Sequence, residues 1–220
     1  MADGVQRPVR PALNREYIIQ VALKLMDREG AEKLSMRKLG AELGVDPMAI
    51  YYYLPNKAAL FDGIVEAIYA EVDFDPLATD DWRELIASFL RQLRDVLRRH
   101  PNAVHVLATR PGYTPANLAL ADKALDALSA SGLSPRQALI VADCLRAYTI
   151  GHVFAEVSEP VGGETHSMDG ASEIMTTEAY PHLSRAIVGG YRPDEQFEVG
   201  LRAMLDGFSR PGALPDSEQP

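Results

Sequence analysis

The sequence of 220 residues contains little cysteine and no long apolar stretch. Cys144 is its single cysteine, which excludes an internal disulfide and a zinc site made of cysteines alone. No apolar run approaches the roughly 18 residues that span a bilayer. The first eleven residues contain arginine and proline but lack the apolar core of a secretory signal. We therefore expect a protein of the reducing cytoplasm that does not associate with a membrane.

Positive charge is outnumbered by negative charge, with 22 Lys/Arg, 31 Asp/Glu and a formal net charge of −9 at pH 7. The net charge is distributed unevenly along the chain. Residues 1–60 contain nine Lys/Arg and seven Asp/Glu, whereas residues 61–220 contain thirteen and twenty-four. The first part therefore carries a net charge of +2 and the second part −11. A mildly basic head on an acidic body predicts that only the head meets phosphate groups.

The alternation of apolar and polar residues that marks half-buried strands is missing, and so is any internal repeat. Apolar residues recur instead at helical spacing, and prolines and glycines fall between the periodic segments. These patterns predict an all-α fold. The predicted helices span about 14–29, 35–43, 47–54, 56–70, 81–99, 101–109, 115–131, 135–157, 176–189 and 194–208.

The same patterns divide the chain into four parts. Residues 1–13 are expected to form a flexible arm, and residues 14–60 a small helical domain. Residues 61–210 form a larger helical domain, followed by a tail at 211–220. Within the larger domain, residues 158–173 are rich in Gly, Ser and Glu and lack periodicity, which is typical of a mobile loop.

Motifs of catalysis are absent from the sequence. Gly162-Gly163 is followed by neither a lysine nor a predicted helix, so it does not form a phosphate-binding loop. No nucleophile motif occurs, and His166 and His182 lack partners at metal-ligand spacing. We therefore expect no enzymatic activity, no metal and no cofactor.

The segment from Ser35 to Leu54 has the layout of a helix-turn-helix. Ser35 is a candidate N-cap of its first helix, Gly44 suits a left-handed turn, and Asp46-Pro47 begin the second helix. In this motif the second helix enters the major groove of DNA. The residues expected on or near its outer face are Met48, Ala49, Tyr51, Tyr52 and Tyr53.

The side chains of this segment suit a nucleic acid. Met48 and Ala49 fit contacts with thymine methyl groups, and tyrosine hydroxyls fit phosphates. Arg37 has the fork that reads a guanine edge, and Lys57 begins a helix whose N-terminus also favours phosphate. The alternatives are that the three tyrosines pack in a core or an interface and that Arg37 and Lys57 are solvated surface charges.

The stretch Ser35-Met-Arg-Lys-Leu-Gly-Ala-Glu-Leu-Gly-Val-Asp-Pro-Met-Ala-Ile-Tyr-Tyr-Tyr-Leu-Pro-Asn-Lys57 resembles the DNA-binding domain of the TetR family of repressors. The preceding helix, which ends at Gly30, fits as well. The resemblance implies a three-helix DNA-binding domain at 14–60, a ligand-binding and dimerisation domain at 61–210, and repression of transcription. It also implies DNA contacts by Ser35, Arg37, Met48, Ala49, Tyr51, Tyr52, Tyr53 and Lys57.

Short fragments of the larger domain resemble the tetracycline-repressor type of C-terminal domain. Among them are Thr109-Arg110-Pro111 and Tyr148-Thr-Ile-Gly151. Such domains form a two-fold homodimer through a four-helix bundle, to which the helices at 135–157 and 194–208 would contribute. The apolar residues of these helices exceed what one face would bury in a monomer: Leu139, Val141, Phe154, Phe197, Leu201, Met204 and Leu205.

An effector pocket is expected between the helices that contain His105–Arg110 and Tyr148–His152, with a lipophilic small molecule as its ligand. Its candidate residues are His105, Arg110, Cys144, Tyr148 and His152. Core and dimer packing is the alternative for the 135–157 helix, in which Val141, Cys144, Leu145, Tyr148 and His152 are expected to share one face. Alignment on the two fragments puts Val106 and Ala155 at the family's metal-binding positions, so we expect no tetracycline–magnesium binding.

Two functions remain open from the sequence. The first is a ligand-responsive repressor that binds a palindromic operator as a dimer. The alternative is a constitutive DNA-binding module that senses no effector, and ligand-dependent release from DNA separates the two.

Overall fold

A computed structural model describes residues 12–75, 79, 81–110, 112–130, 132–158, 178–186, 190 and 192–215. Within these residues all regular structure is helical, which confirms the all-α prediction. The helices are α1 (Arg15–Glu29), α2 (Met36–Leu43), α3 (Pro47–Tyr51), α4 (Lys57–Ala70), α5 (Trp82–Arg99), α6 (Val104–Thr109), α7 (Pro115–Ala130), α8 (Pro135–Val157), α9 (Pro181–Ala186) and α10 (Pro193–Phe208). Most of the expected arm, the expected loop at 158–173 and part of the tail lie outside the described residues.

The helix predicted at 176–189 begins only at Pro181, because residues 178–180 form a turn. Two further predicted helices differ from the structure. The third ends at Tyr51 rather than near residue 54, because Tyr53 and Leu54 both donate their amides to the Ile50 carbonyl in a closing turn before Pro55. The segment predicted at 101–109 begins with a 3-10 turn at Pro101–Ala103, and α6 follows it. Both differences lie at helix ends, where proline removes a backbone donor.

Local capping explains where the helices of the head begin. The side chains of Asn14, Ser35 and Asp46 accept backbone N–H groups of the first turns of α1, α2 and α3. Gly44 adopts a φ of 69°, the left-handed conformation that the tight turn requires. At the crossing of α2 and α3, a Cβ on Gly40 would lie 2.9 Å from the Val45 carbonyl oxygen. The second helix is therefore held close to the first.

Helix α4 joins the head to the body. One apolar cluster runs from α1 and α2 through Leu60, Ile64 and Ile68 of α4 into α5, α6 and α8. A second cluster lies between α5, α7, α8 and α10, around Leu90, Val141 and Phe197. Helix α4 therefore contributes to a core that the head and the body share.

Helix α8 is long and apolar enough to span a bilayer by length and composition alone, with a mean hydropathy of 1.3 over its most apolar stretch. A third of that stretch is buried, and α8 packs against α5, α6, α7 and α10. Asp143 and Arg146 form an ion pair in its middle. These contacts are typical of a core helix that has one face left uncovered.

Of the seven residues chosen from sequence for the dimer interface, four are buried, two are exposed, and Met204 is partly buried against the second apolar cluster. Val141, Phe197, Leu201 and Leu205 are buried within the subunit, so the expectation that they need a partner chain is wrong. They pack against one another across α8 and α10. Leu139 and Phe154 are exposed, as is Val199 on α10, which the sequence did not single out.

A buried ion cluster ties α5 to α8 and α10. The Arg94 guanidinium lies 2.9 Å from Glu156 and 2.8 Å from Asp194, and Arg98 bonds the same two carboxylates. Arg94 also lies over the ring of Phe197, 4.7 Å from its centroid. Arg94 and Glu156 are both almost fully buried, so each charge is stabilised in the interior by the opposite charge of the other.

We expect Glu156→Gln to lower the free energy of unfolding by about 3 kcal/mol, because it leaves the buried Arg94 charge with only an exposed partner. Urea unfolding at constant protein concentration measures this loss. Asp143→Asn is the matched control, because Asp143 is an exposed carboxylate on the same helix and its ion pair with Arg146 contributes little. Equal stability of the two variants would contradict the role of the cluster.

Candidate nucleic-acid interface and ligand site

The short helix α3 exposes large side chains to solvent. Met48 is 72 % exposed and Tyr52 is 87 % exposed, although both are apolar or aromatic. Tyr51 is also exposed, and Ala49 is partly so. Tyr53 differs, because it packs against the apolar core and meets the Tyr52 ring edge-on at 5.2 Å between centroids. The surface that α3 offers thus consists mainly of Met48, Ala49, Tyr51 and Tyr52.

The other predicted DNA-contacting residues border α3 in sequence. Ser35 and Arg37, at the start of α2, are both exposed. The Ser35 hydroxyl oxygen accepts the Lys38 amide at 3.2 Å, which leaves the hydroxyl hydrogen free to donate to a phosphate. Lys57 begins α4 with its ammonium 5.3 Å from the centre of the Phe61 ring. Donors therefore flank α3 on both sides along the chain.

Ion pairs within the head occupy some of its basic residues. Arg28 of α1 bonds Glu42 of α2 at 3.0 Å, and Lys38 bonds Glu29. The hydrogen bond from Lys38 lowers the pKa of Glu29. These pairs hold α2 on α1. Arg37 and Lys57 are the exposed cations nearest to α3 in sequence that have no carboxylate partner among the described residues.

In the body, Tyr148 and His152 face α10. The Tyr148 hydroxyl donates to the Phe197 carbonyl at 3.0 Å, and its ring stacks on the Phe197 ring. His152 Nε2 lies 3.1 Å from the Pro193 carbonyl oxygen. A Cβ on Gly200 would overlap the Tyr148 hydroxyl, so this close approach requires glycine. Burial raises the pKa of the Tyr148 phenol.

Arg110 lies elsewhere, at the end of α6. Its Nε donates to the Asp62 carboxylate of α4 at 2.8 Å. His105 is exposed, and its backbone carbonyl accepts the Thr109 hydroxyl. The structure therefore does not bring His105 and Arg110 together with Tyr148 and His152, because the two groups contact different helices.

Cys144 is exposed, whereas Val141 and Leu145 are buried. The expectation that all three share one face of α8 is wrong, since successive residues of a helix are turned by about 100°. Cys144 lies with the exposed small residues of this helix, Ala147 and Gly151. Core packing accounts for Val141 and Leu145.

Two open cavities among the described residues of the body lack every predicted ligand residue. One of about 180 Å³ lies between α5 and α10 and is lined by charged side chains such as Arg91 and Glu198. The other, of about 370 Å³, lies beside Phe74 and Phe89.

Comparison with known proteins bears on both parts of the chain. The family model for bacterial regulatory proteins of the tetR family matches residues 18–64, and that for the tetracyclin repressor-like C-terminal domain matches residues 75–210. The chain belongs to the TetR family. It combines the family's DNA-binding domain with a ligand-binding C-terminal domain, and it is a transcriptional regulator.

Several relatives match over nearly the whole TetR-family chain. An HTH-type transcriptional regulator of Saccharopolyspora erythraea is 33 % identical over 216 residues, which are 95 % of this chain and 90 % of the relative. The tetracycline repressor protein class A from transposon 1721 of Escherichia coli is 31 % identical over 90 % of this chain and 91 % of the relative. The fold of the present chain matches that of a possible TetR family transcriptional regulator from Streptomyces coelicolor A3(2), with a TM-score of 0.74 and 30 % identity. The match covers 88 % of the present chain and 98 % of that structure. These relatives are regulators rather than enzymes.

The two positions that the resemblance aligned with metal-binding residues of the family have no ligand side chain in this TetR-family chain. Val106 is buried among apolar side chains and offers no ligand atom, and Ala155 is an exposed methyl group. The absence of tetracycline–magnesium binding stays a prediction.

Sequence reasoning missed the polar contacts between head and body. His100 lies between two carboxylates, 2.8 Å from Asp27 of α1 and 3.0 Å from Glu71 at the end of α4. Asn102 donates to the backbone carbonyls of Met26 and Asp27. Burial raises the pKa of Asp27. No local pattern predicts these contacts, because their partners are 29 to 76 residues apart.

Proposed function

We propose that this TetR-family regulator is a cytoplasmic repressor that binds a palindromic operator as a homodimer. In this proposal a small, largely lipophilic effector binds in the body (residues 61–210) and releases the head (residues 14–60) from DNA. The exposure of Met48 on an N-capped recognition helix, with Tyr52 exposed at its end, is the observation that carries the DNA-binding part, because both lie in the segment that the family model of the DNA-binding domain matches.

The dimer is supported by an uncovered surface on α8 and α10, which we call the seam face. Its members are all exposed and mostly small or apolar: Cys144, Ala147, Gly151, Phe154, Ala155, Val199 and Ala203. On α8 they recur at helical spacing, and small residues allow helices to approach closely. Two copies of this face would form a four-helix bundle, and a two-fold dimer would present two recognition helices to two half-sites.

The chemistry of the effector follows from the residues near α4 and α6. The surroundings are mostly apolar, with Val65, Val106 and Leu107 in the core, and Arg110 supplies a cation. Such a site favours a lipophilic molecule with an oxygen or an anionic group. One observation favours the alternative of a constitutive DNA-binding module: Tyr148, His152 and Arg110 are all engaged by protein groups. Release from DNA by a ligand separates the two functions.

Binding of a fragment from the protein's own promoter tests the DNA-contacting roles. We expect Tyr52→Ala to weaken binding about tenfold, and Lys57→Ala to weaken it on all sequences while lowering the salt slope by roughly one unit per subunit. Arg37→Ala should relax the preference at one base pair of each half-site. Fluorescence anisotropy at several salt concentrations measures these effects.

Tyr113→Ala is the matched control for this experiment, because Tyr113 is an exposed tyrosine of the body and should leave binding unchanged. If Tyr52→Ala, Lys57→Ala and Arg37→Ala all bind as tightly as the wild type, the assignment of these residues to DNA contact is wrong.

A further inference from the structure

The acidic residues of α4 face in two directions. Glu66 bonds Arg15 of α1 at 2.6 Å, and a Cβ on Gly63 would overlap Ile19, so this side of α4 is packed closely against the head. Asp62 faces the body instead and accepts the Arg110 Nε at 2.8 Å. Asp62 and Arg110 therefore form a single ion pair between α4 and the segment that follows α6.

Arg110 has hydrogen-bond donors that its contact with Asp62 does not use. A guanidinium group carries five N–H donors, and among the described residues only the Nε–H of Arg110 has a partner. The pair is partly open to solvent, since about a third of each side chain is exposed. A single hydrogen bond leaves the planar fork of Arg110 available for a second carboxylate or other anionic oxygen.

A second donor without a partner among the described residues lies close to Gly112, two residues after Arg110. The side-chain nitrogen of Asn117, in the first turn of α7, is buried and has no hydrogen-bond acceptor among the described residues. The chain turns towards it at Gly112, which has a φ of 65°. A Cβ on Gly112 would lie 3.3 Å from the Asn117 nitrogen and 3.6 Å from Val65 of α4. Buried amide donors normally have an acceptor, so this one is suited to an acceptor supplied by a ligand.

We propose that the Arg110–Asp62 pair is a latch that holds α4 in its operator-binding position, and that an anionic oxygen group of the effector opens it by binding Arg110 and Asn117. The inference rests on the proposed function and adds the charge of the ligand and the contact that it breaks. A carboxylate on the effector takes the Arg110 fork in a two-point contact, which is stronger than the single bond to Asp62. Asp62 then loses its partner and α4 is free to move with the head. The ligand shifts the dimer toward the state with the opened latch, because it binds that state more tightly than the operator-binding state.

The latch is tested first without a ligand, by operator binding of three variants. Asp62→Asn and Arg110→Gln each remove one charge of the pair, and we expect each to raise the dissociation constant of the wild-type operator fragment about tenfold, which is about 1.4 kcal/mol over the two subunits. Because both break the same contact, the double variant should bind no worse than either single variant. Glu66→Gln is the matched control, since it removes an α4 carboxylate that bonds Arg15 of α1 and not the segment after α6, and we expect no more than a twofold change.

The ligand is tested with 1-naphthoate and its uncharged methyl ester as probes. We expect 1-naphthoate at millimolar concentration to release the wild-type protein from its operator and the ester to be inactive. Asn117→Ala should keep the operator affinity and raise the concentration of 1-naphthoate for half release about tenfold. This separation of ligand sensitivity from operator affinity is not expected of a residue that only supports the fold.

A failure of the latch or of the anionic ligand can be told apart from a failure of the proposed function. If the wild type binds no fragment of its own promoter, the proposed repressor function fails. If the wild type binds but the single variants bind equally well, or their losses multiply in the double variant, the latch is overturned. Release by the ester as readily as by 1-naphthoate, or by neither, overturns the anionic ligand.

Discussion

Phe154→Arg should convert the protein to monomers and weaken operator binding more than a hundredfold. Phe154 is 45 % exposed in the isolated subunit and lies on the seam face beside Gly151 and Ala155. In a symmetric dimer the substitution places two arginines in one apolar interface, where unpaired charges are strongly unfavourable. A monomer also loses the second half-site, and with it most of the operator affinity. Light scattering at micromolar concentration gives the mass, and fluorescence anisotropy gives the affinity.

Two further variants make this experiment decisive. Phe154→Leu keeps an apolar side chain and should remain a dimer. Leu201 was a candidate interface residue from the sequence alone, but it is 1 % exposed and packs inside the subunit. Leu201→Arg therefore tests the stability of the subunit and not the dimer interface. We expect Leu201→Arg to unfold the protein. A Phe154→Arg protein that is folded, dimeric and fully active on DNA would show that the interface lies elsewhere.

Met48→Glu should also weaken operator binding more than a hundredfold, while the stability of the protein stays unchanged. Met48 is exposed at the start of α3, so a carboxylate there has no folding penalty in free protein. In the complex it would enter the strongly negative surroundings of the DNA phosphates, once in each half-site. Anisotropy with the operator fragment measures the affinity, and urea unfolding confirms that the free energy of unfolding is unchanged.

Met48→Gln is the matched control, because it has the same length and polarity without the charge. We expect it to weaken binding about tenfold at most, through the loss of apolar contacts to base edges. Equal binding by the two variants would place Met48 outside the interface and would question the orientation of α3 on DNA.

The head was largely predictable from sequence because its signals are local. The caps Asn14, Ser35 and Asp46 bond amides only two or three residues away, and Gly44 adopts the left-handed turn by its own conformational freedom. These short-range rules do not depend on the rest of the chain. They determined where the helices of the head begin and the layout on which the likeness to the TetR family rests.

Tertiary structure alone decided how the residues of the body are used. Apolar residues occur all round α8, so spacing did not reveal that Leu145 faces the core while Cys144 and Phe154 face solvent. The partners of a long helix determine its buried face, and these partners are distant in sequence. Asp62 and Arg110 are 48 residues apart and meet only because α6 packs near α4. The sequence by itself determined the family and the head, whereas long-range packing decided which face of α8 is left exposed and which residues of α4 and α6 meet.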